Sequence, residues 1–246
     1  MERLSLHKAL FITLMTMVDF TRATHSHYEI VSKDNDIYLE PKSGDPRASL
    51  IFLHGLGDSA QDRFQTFLEE QLFPSDTRII LLTAPMAPVT IHYGKVMNSW
   101  FDIHLPNQPK RYNVDDIVQN QKRILDTIEE QIAYYKDDPS KVFLGGFSQG
   151  AAMSMHIGLE YKRRLGGVIG ASGFLLDETE LIQRELDLLI IHGKEDEIIP
   201  LPLAQMSYMR ALKLPNVVYK VIDGLTHTIN IDVVSVVRQF AQAFIK

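Results

Sequence analysis

Past residue 27 the chain alternates between short β-rich runs and longer helical periods, and few folds accept that alternation. Residues 29–32, 37–40, 50–54, 79–83, 142–145, 167–171, 188–192 and 217–222 read as strands. Most of the later runs are continuously apolar, as parallel strands covered on both faces must be. Between them, Ile117, Ile124, Ile128 and Ile132 fall on one helical stripe, and Val233, Val237, Phe240 and Phe244 on another. Strands alternating with helices imply right-handed crossovers and an α/β fold, a doubly wound, mostly parallel sheet flanked by helices. A length of 246 residues allows one large domain or two small ones. No linker, charge block or repeat divides it, so residues 28–246 are expected to form a single domain.

Residues 1–27 stand apart. Arg3 and Lys8 precede the apolar stretch 9–18, and polar residues follow. The stretch is too short to span a bilayer. It reads either as a signal peptide, with Thr21-Arg22-Ala23 as a mediocre cleavage site, or as a disordered leader on a cytoplasmic protein. The cytoplasmic reading is taken here, with the secretory route as its alternative. A net charge of −6 argues against nucleic acid or anionic lipid as an electrostatic partner. Cysteine is absent, which removes disulfides, thiolate metal sites and cysteine nucleophiles.

The chemistry concentrates at Gly146-Phe147-Ser148-Gln149-Gly150, between the apolar run at 142–145 and a helical pattern opening at Ala151. Strand, sharp turn and helix is the setting in which G-x-S-x-G makes a nucleophile elbow. Ser148 could instead be a simple N-cap for the helix. A serine nucleophile needs a base within hydrogen-bond reach and a group that orients the base. Downstream, the run 188–192 leads into Asp196, and the run 217–222 leads into His227. Both thus lie, like Ser148, just past carboxyl ends of strands, where functional groups collect in open α/β sheets. Glu195, Glu197 and Asp223 compete with Asp196, and His192 with His227. His192 directly follows an apolar run and reads better as a packed strand-end residue.

A tetrahedral intermediate also needs donors for its oxyanion. The glycine-rich loop Gly55-Leu56-Gly57, after the run 50–54, can aim the Leu56 N–H, and the Gln149 N–H follows the nucleophile. The same loop fits the dinucleotide fingerprint as far as Ala60. That reading wants a carboxylate at the end of the next strand, where Thr83-Ala84-Pro85 stands. Nine histidines include no H-E-x-x-H pattern, and His25 and His27 belong to the leader. No cofactor or metal is expected. The long interval from Ala84 to Asn113 has little periodicity but carries apolar residues. Met86, Val89, Ile91 and Met97 are candidates to line an acyl groove, with Trp100 near its mouth.

These segments together resemble the acyl-protein thioesterase/lysophospholipase family of small carboxylesterases. The matching stretches are 52–58, Thr83-Ala84-Pro85 with Pro88-Val89-Thr90, Ser99-Trp100-Phe101-Asp102, 145–150, 192–200 and 224–227. They run through nearly everything from about residue 48 onward. Thr228-Ile229-Asn230 departs from the small polar residues relatives often carry, and the first 27 residues have no counterpart in typical cytosolic members. The resemblance implies an α/β-hydrolase fold and hydrolysis of acyl thioesters or esters through an acyl-enzyme, on fatty-acylated proteins or lipid esters. It implies Ser148 as nucleophile, Asp196 and His227 as its partners, and the Leu56 and Gln149 amides as oxyanion hole. Lysophospholipase or general small-ester carboxylesterase activity is the alternative, and a non-catalytic ligand-binding protein on the same fold the remote one.

Overall fold

The computed structural model describes residues 27–105 and 111–245; the leader through residue 26 lies outside the described residues. All eight expected strands form, most of them extended by a residue or two. In chain order they are β1 (Tyr28–Lys33), β2 (Asp36–Pro41), β3 (Ala48–Leu53), β4 (Thr77–Leu82), β7 (Val142–Phe147), β8 (Gly167–Ala171), β9 (Leu188–Gly193) and β10 (Val217–Ile222). They make one sheet in the order β1-β2-β4-β3-β7-β8-β9-β10. Two pairings, β1 with β2 and β2 with β4, are antiparallel, and the rest are parallel.

The central strands β3, β7 and β9 are buried along their whole length, which is why their sequences lack polar alternation. Pleating sends successive side chains to opposite faces. Ile51 and Leu53 enter one apolar layer. It is closed by α2 (Val114–Tyr134), α3 (Gln149–Glu160) and α4 (Leu201–Tyr208). Leu50 and Phe52 enter the other layer. That one is covered by α1 (Ala60–Glu70) and α5 (Ile231–Phe244). Each fully buried aliphatic or aromatic side chain contributes roughly 1.5–3 kcal/mol, so the two layers, not the loops, fix the positions of the strand ends.

The helices start where polar caps allow. Asn230 Oδ1 accepts from the amides of Asp232 and Val233, and Asn113 and Ser59 cap their helices through the amides of Asp115 and Asp62. The expected α2 stripe is buried at Ile117, Ile124, Ile128 and Ile132. The α5 stripe holds at Val233, Val237 and Phe240, but Phe244, at the last turn, is 40% exposed. The interval 84–113 is not all loop. β5 (Met86–Val89) pairs antiparallel with β6 (Lys95–Asn98) in a separate two-stranded sheet. Each has four residues and β5 contains Pro88, so neither shows a readable period.

Candidate active site

Ser148 sits between the end of β7 and the start of α3 with φ +56° and ψ −117°, a backbone region that side chains other than glycine rarely adopt. The turn is forced by contact on both flanks. A Cβ on Gly146 would lie 2.3 Å from the Gly150 carbonyl group, and one on Gly150 only 2.1 Å from the Leu53 carbonyl oxygen. Only glycine lets strand and helix approach this closely beneath the serine. Ser148 makes no side-chain cap to α3. Its hydroxyl is directed elsewhere.

That hydroxyl lies 2.9 Å from His227 Nε2, and His227 Nδ1 lies 2.8 Å from Asp196 Oδ2. A carboxylate can only accept, so Nδ1 carries the proton and Nε2 is free to accept from the Ser148 hydroxyl. Asp196 is buried, and its second oxygen accepts from the amides of Ile198 at 3.0 Å and Ile199 at 2.8 Å. The three residues thus lie in one hydrogen-bonded line across the carboxyl ends of β7, β9 and β10. Of the competing residues, Glu195, Asp223 and His192 have other partners. Glu195 accepts from the Gly224 amide at 2.5 Å, and exposed Asp223 pairs with Lys194 at 2.8 Å. Asp223 is therefore turned to solvent rather than to the imidazole. His192 is fully buried beneath Asp196, with Nε2 2.8 Å from the Ile199 carbonyl and Nδ1 3.2 Å from the Tyr208 hydroxyl. Burial holds its pKa below the usual 6.5.

Leu56 and Gln149 line the same cleft as Ser148 and His227. Gln149 is the first residue of α3, so no helical carbonyl can take its N–H. The loop bearing Leu56 is fixed from outside. The Gly57 amide donates to the Asn98 carbonyl at 2.9 Å, and the Asn98 side chain donates to the Asp58 carbonyl at 2.8 Å. Below it, His54 Nδ1 lies 2.7 Å from the Gly55 carbonyl, and its Nε2 accepts from the Ala84 amide at 2.9 Å. These partners require a neutral imidazole donating through Nδ1, and burial lowers the pKa of His54 from 6.5 accordingly. The Gln149 side chain accepts from the Trp100 amide at 2.9 Å and donates to the Phe101 carbonyl at 2.7 Å. Sequence reasoning missed Asn98 and His54. The weak signal was their place, one at the end of an undetected strand and the other directly before the glycine-rich loop.

The cleft holds about 850 Å³. Of the five expected groove residues only Ile91 lines it; the other apolar walls come from Ile103, Leu105, Phe174, Leu175, Ile198, Ile199 and Leu203. The correction has a simple cause. Met86 lies on the hairpin and faces solvent at 63% exposure, whereas Val89 points into the protein and is fully buried. The Met97 sulfur packs toward Gly57, 3.5 Å from where a Cβ would lie. Trp100 is buried at 1% exposure, with its indole N–H donating to the His54 carbonyl at 2.9 Å. It braces the floor of the loop and does not stand at a mouth.

The Phospholipase/Carboxylesterase family profile matches residues 35–245, nearly the whole described chain. The chain belongs to this family. Acyl-protein thioesterase 1 of Schizosaccharomyces pombe is 31% identical over 72% of this chain and 81% of its own length. That of Yarrowia lipolytica is 28% identical over 81% of this chain and 92% of its own. The crystal structure of Arabidopsis thaliana SOBER1 superposes with a TM-score of 0.67 at 26% identity, covering 81% of this chain and 99% of that one. The protein is an α/β-hydrolase of the esterase and thioesterase kind. No helix among the described residues is long and apolar enough to cross a membrane.

Proposed function

We propose that the protein is an acyl-protein thioesterase, removing fatty acyl groups from S-acylated proteins through a serine acyl-enzyme. The observation that carries the reading is the continuous Ser148–His227–Asp196 hydrogen-bonded line opening on an apolar cleft. His227 takes the Ser148 proton as the serine oxygen attacks the acyl carbonyl. The negative charge formed on the carbonyl oxygen is received by the amides of Leu56 and Gln149; one such donor is worth about 10²–10³ in turnover. Asp196 keeps Nδ1 protonated and stabilises the imidazolium. His227 then returns the proton to the leaving sulfur, and water repeats the sequence on the acyl-enzyme. A thiol, with an ordinary pKa of about 8.5, departs more readily than an alcohol, so a thioester asks less acid catalysis of His227.

The apolar walls at Ile103, Leu105, Phe174 and Leu203 suit a long hydrocarbon chain. A chain-length series from acetyl to palmitoyl thioesters tests this, and equal rates along the series would refute it. Lysophospholipid and simple ester substrates in the same screen test the alternative activities. Labelling of the wild-type protein by a fluorophosphonate, and its loss in Ser148→Ala, tests the nucleophile; a wild-type protein that takes no label would favour a non-catalytic binding protein. A cytoplasmic site of action accompanies this reading, and sequencing the N-terminus of the mature protein distinguishes it from the secretory route.

A further inference from the structure

The cleft is not apolar throughout. Arg63, on α1, lines it together with Asp58, Phe147, Ser148 and His227. Its Nε donates to Asp58 Oδ2 at 3.0 Å, and Nη2 donates to the same oxygen. Among the described residues these are its hydrogen bonds, so three of the five guanidinium N–H donors are left unused by the protein. The guanidinium carbon stands 5.3 Å from the centre of the Phe147 ring, and that ring packs against the His227 imidazole with centroids 4.9 Å apart. The side chain is about a quarter exposed, held at one edge by a carboxylate and across one face by an aromatic ring.

We propose that Arg63 is a specificity-determining residue that selects substrates whose leaving group carries a carboxylate or phosphate a few bonds from the scissile carbonyl. The inference rests on the hydrolase reading above. Three points lead to it. A guanidinium tied on its inner edge keeps its outer edge as a rigid fork, the geometry that matches an oxyanion. The leaving atom must lie within hydrogen-bond reach of His227, the group that protonates it, and Arg63 is separated from that imidazole by one aromatic ring. The long apolar walls are supplied by other residues, which assigns the charged end to the leaving group and not to the acyl chain. Asp58 cancels most of the long-range field of Arg63, so the selection acts by direct hydrogen bonding at short range.

The test compares octanoyl thioesters of three small thiols of similar length, 3-mercaptopropionate, 2-mercaptoethyl phosphate and the uncharged 3-mercaptopropanamide, followed by thiol release. Charge-assisted hydrogen bonds at a partly exposed arginine should favour the anionic substrates by about 5- to 20-fold in kcat/KM. In Arg63→Gln that ratio should fall to about 1, and Arg63→Lys should keep part of it, since the charge remains without the fork. Each ratio is taken on a single preparation, so loss of folded protein cancels. A greater gain for the phosphate than for the carboxylate identifies the head group as a phosphoester, and the reverse order as a carboxylate. Equal rates on all three thioesters in the wild-type protein, or an unchanged ratio in Arg63→Gln, would overturn the proposal and leave the hydrolase reading standing. Hydrolysis of none of them, with no fluorophosphonate labelling, would overturn both.

Discussion

Replacing Gly150 by alanine probes the closest approach in the molecule's working parts. The added Cβ would meet the Leu53 carbonyl oxygen at 2.1 Å, about 1.3 Å short of the 3.4 Å at which ordinary contact begins, and the His54 carbonyl oxygen at 2.5 Å. Neither obstacle is a flexible side-chain tip. Leu53 ends β3, which is hydrogen-bonded to β4 on one side and β7 on the other, so the strand cannot yield. The strain must fall on the start of α3 and on the loop that follows His54. Overpacking of this kind costs about 1–3 kcal/mol, and rigid backbone on one side puts the site at the upper end. For a chain this size about 3 kcal/mol lowers Tm by roughly 6–12 °C. The parts displaced carry Gln149 and Leu56, and a shift near 1 Å in a reacting geometry costs about 10² in rate. Turnover of an octanoyl thioester and a thermal melt read the two effects together. Gly145→Ala is the control, because its Cβ would meet side chains at an ordinary 3.5 Å or more. A Gly150→Ala protein with unshifted Tm and wild-type turnover would refute the claim that glycine is required there.

Asp196→Asn should leave the fold intact but lower kcat by about 10⁴, by favouring the wrong imidazole tautomer; a loss under tenfold in steady-state turnover would argue against Asp196 as the orienting group. The buried imidazoles of His54, His156 and His192 all have pKa values lowered from 6.5 by desolvation. The unfolded chain therefore binds protons first as pH drops, so their stabilising effect is present above about 6.5 and is lost as pH falls below it. Melting temperatures measured between pH 7.5 and 5 should decline in the acid limb, and a flat profile would contradict neutral burial. Leu203→Trp adds bulk at a half-exposed cleft wall. It should reduce hydrolysis of palmitoyl far more than of butanoyl thioesters, and a uniform change across chain lengths would remove Leu203 from the acyl path.

How much of this could be read in advance depended on where each residue stood. The central strands announced themselves because double burial leaves continuous apolar runs, and Ser148, Asp196 and His227 stood out because each lies within a few residues of a strand end. The elbow glycines were legible for the same reason. The cleft walls were not. Phe174 comes from the connection after β8, and Ile198 and Leu203 from the loop and helix α4 after β9, and only the folded sheet draws them together. Trp100 misled because an indole amid loop residues reads as surface, whereas the hydrogen bond to the His54 carbonyl pulls it underneath. Arg63 gave no signal either: on an amphipathic helix an arginine is ordinarily a solvated residue, and what distinguishes this one is the ring and the carboxylate beside it.

The side chain of Gln149 clasps residues 100 and 101, while the residue itself lines the cleft beside Ser148. One residue thereby ties the turn that carries Ser148 to the buried segment that holds Trp100. A redesign that lengthens or shortens the connection around Ser99 therefore shifts Gln149, the neighbour of Ser148, and the wall at Ile198 and Ile199 is bound to Asp196 in the same way through its amides, so new substrate ranges for this scaffold are better sought at Phe174 and Leu203, which line the cleft without a hydrogen bond of their own to Ser148, His227 or Asp196.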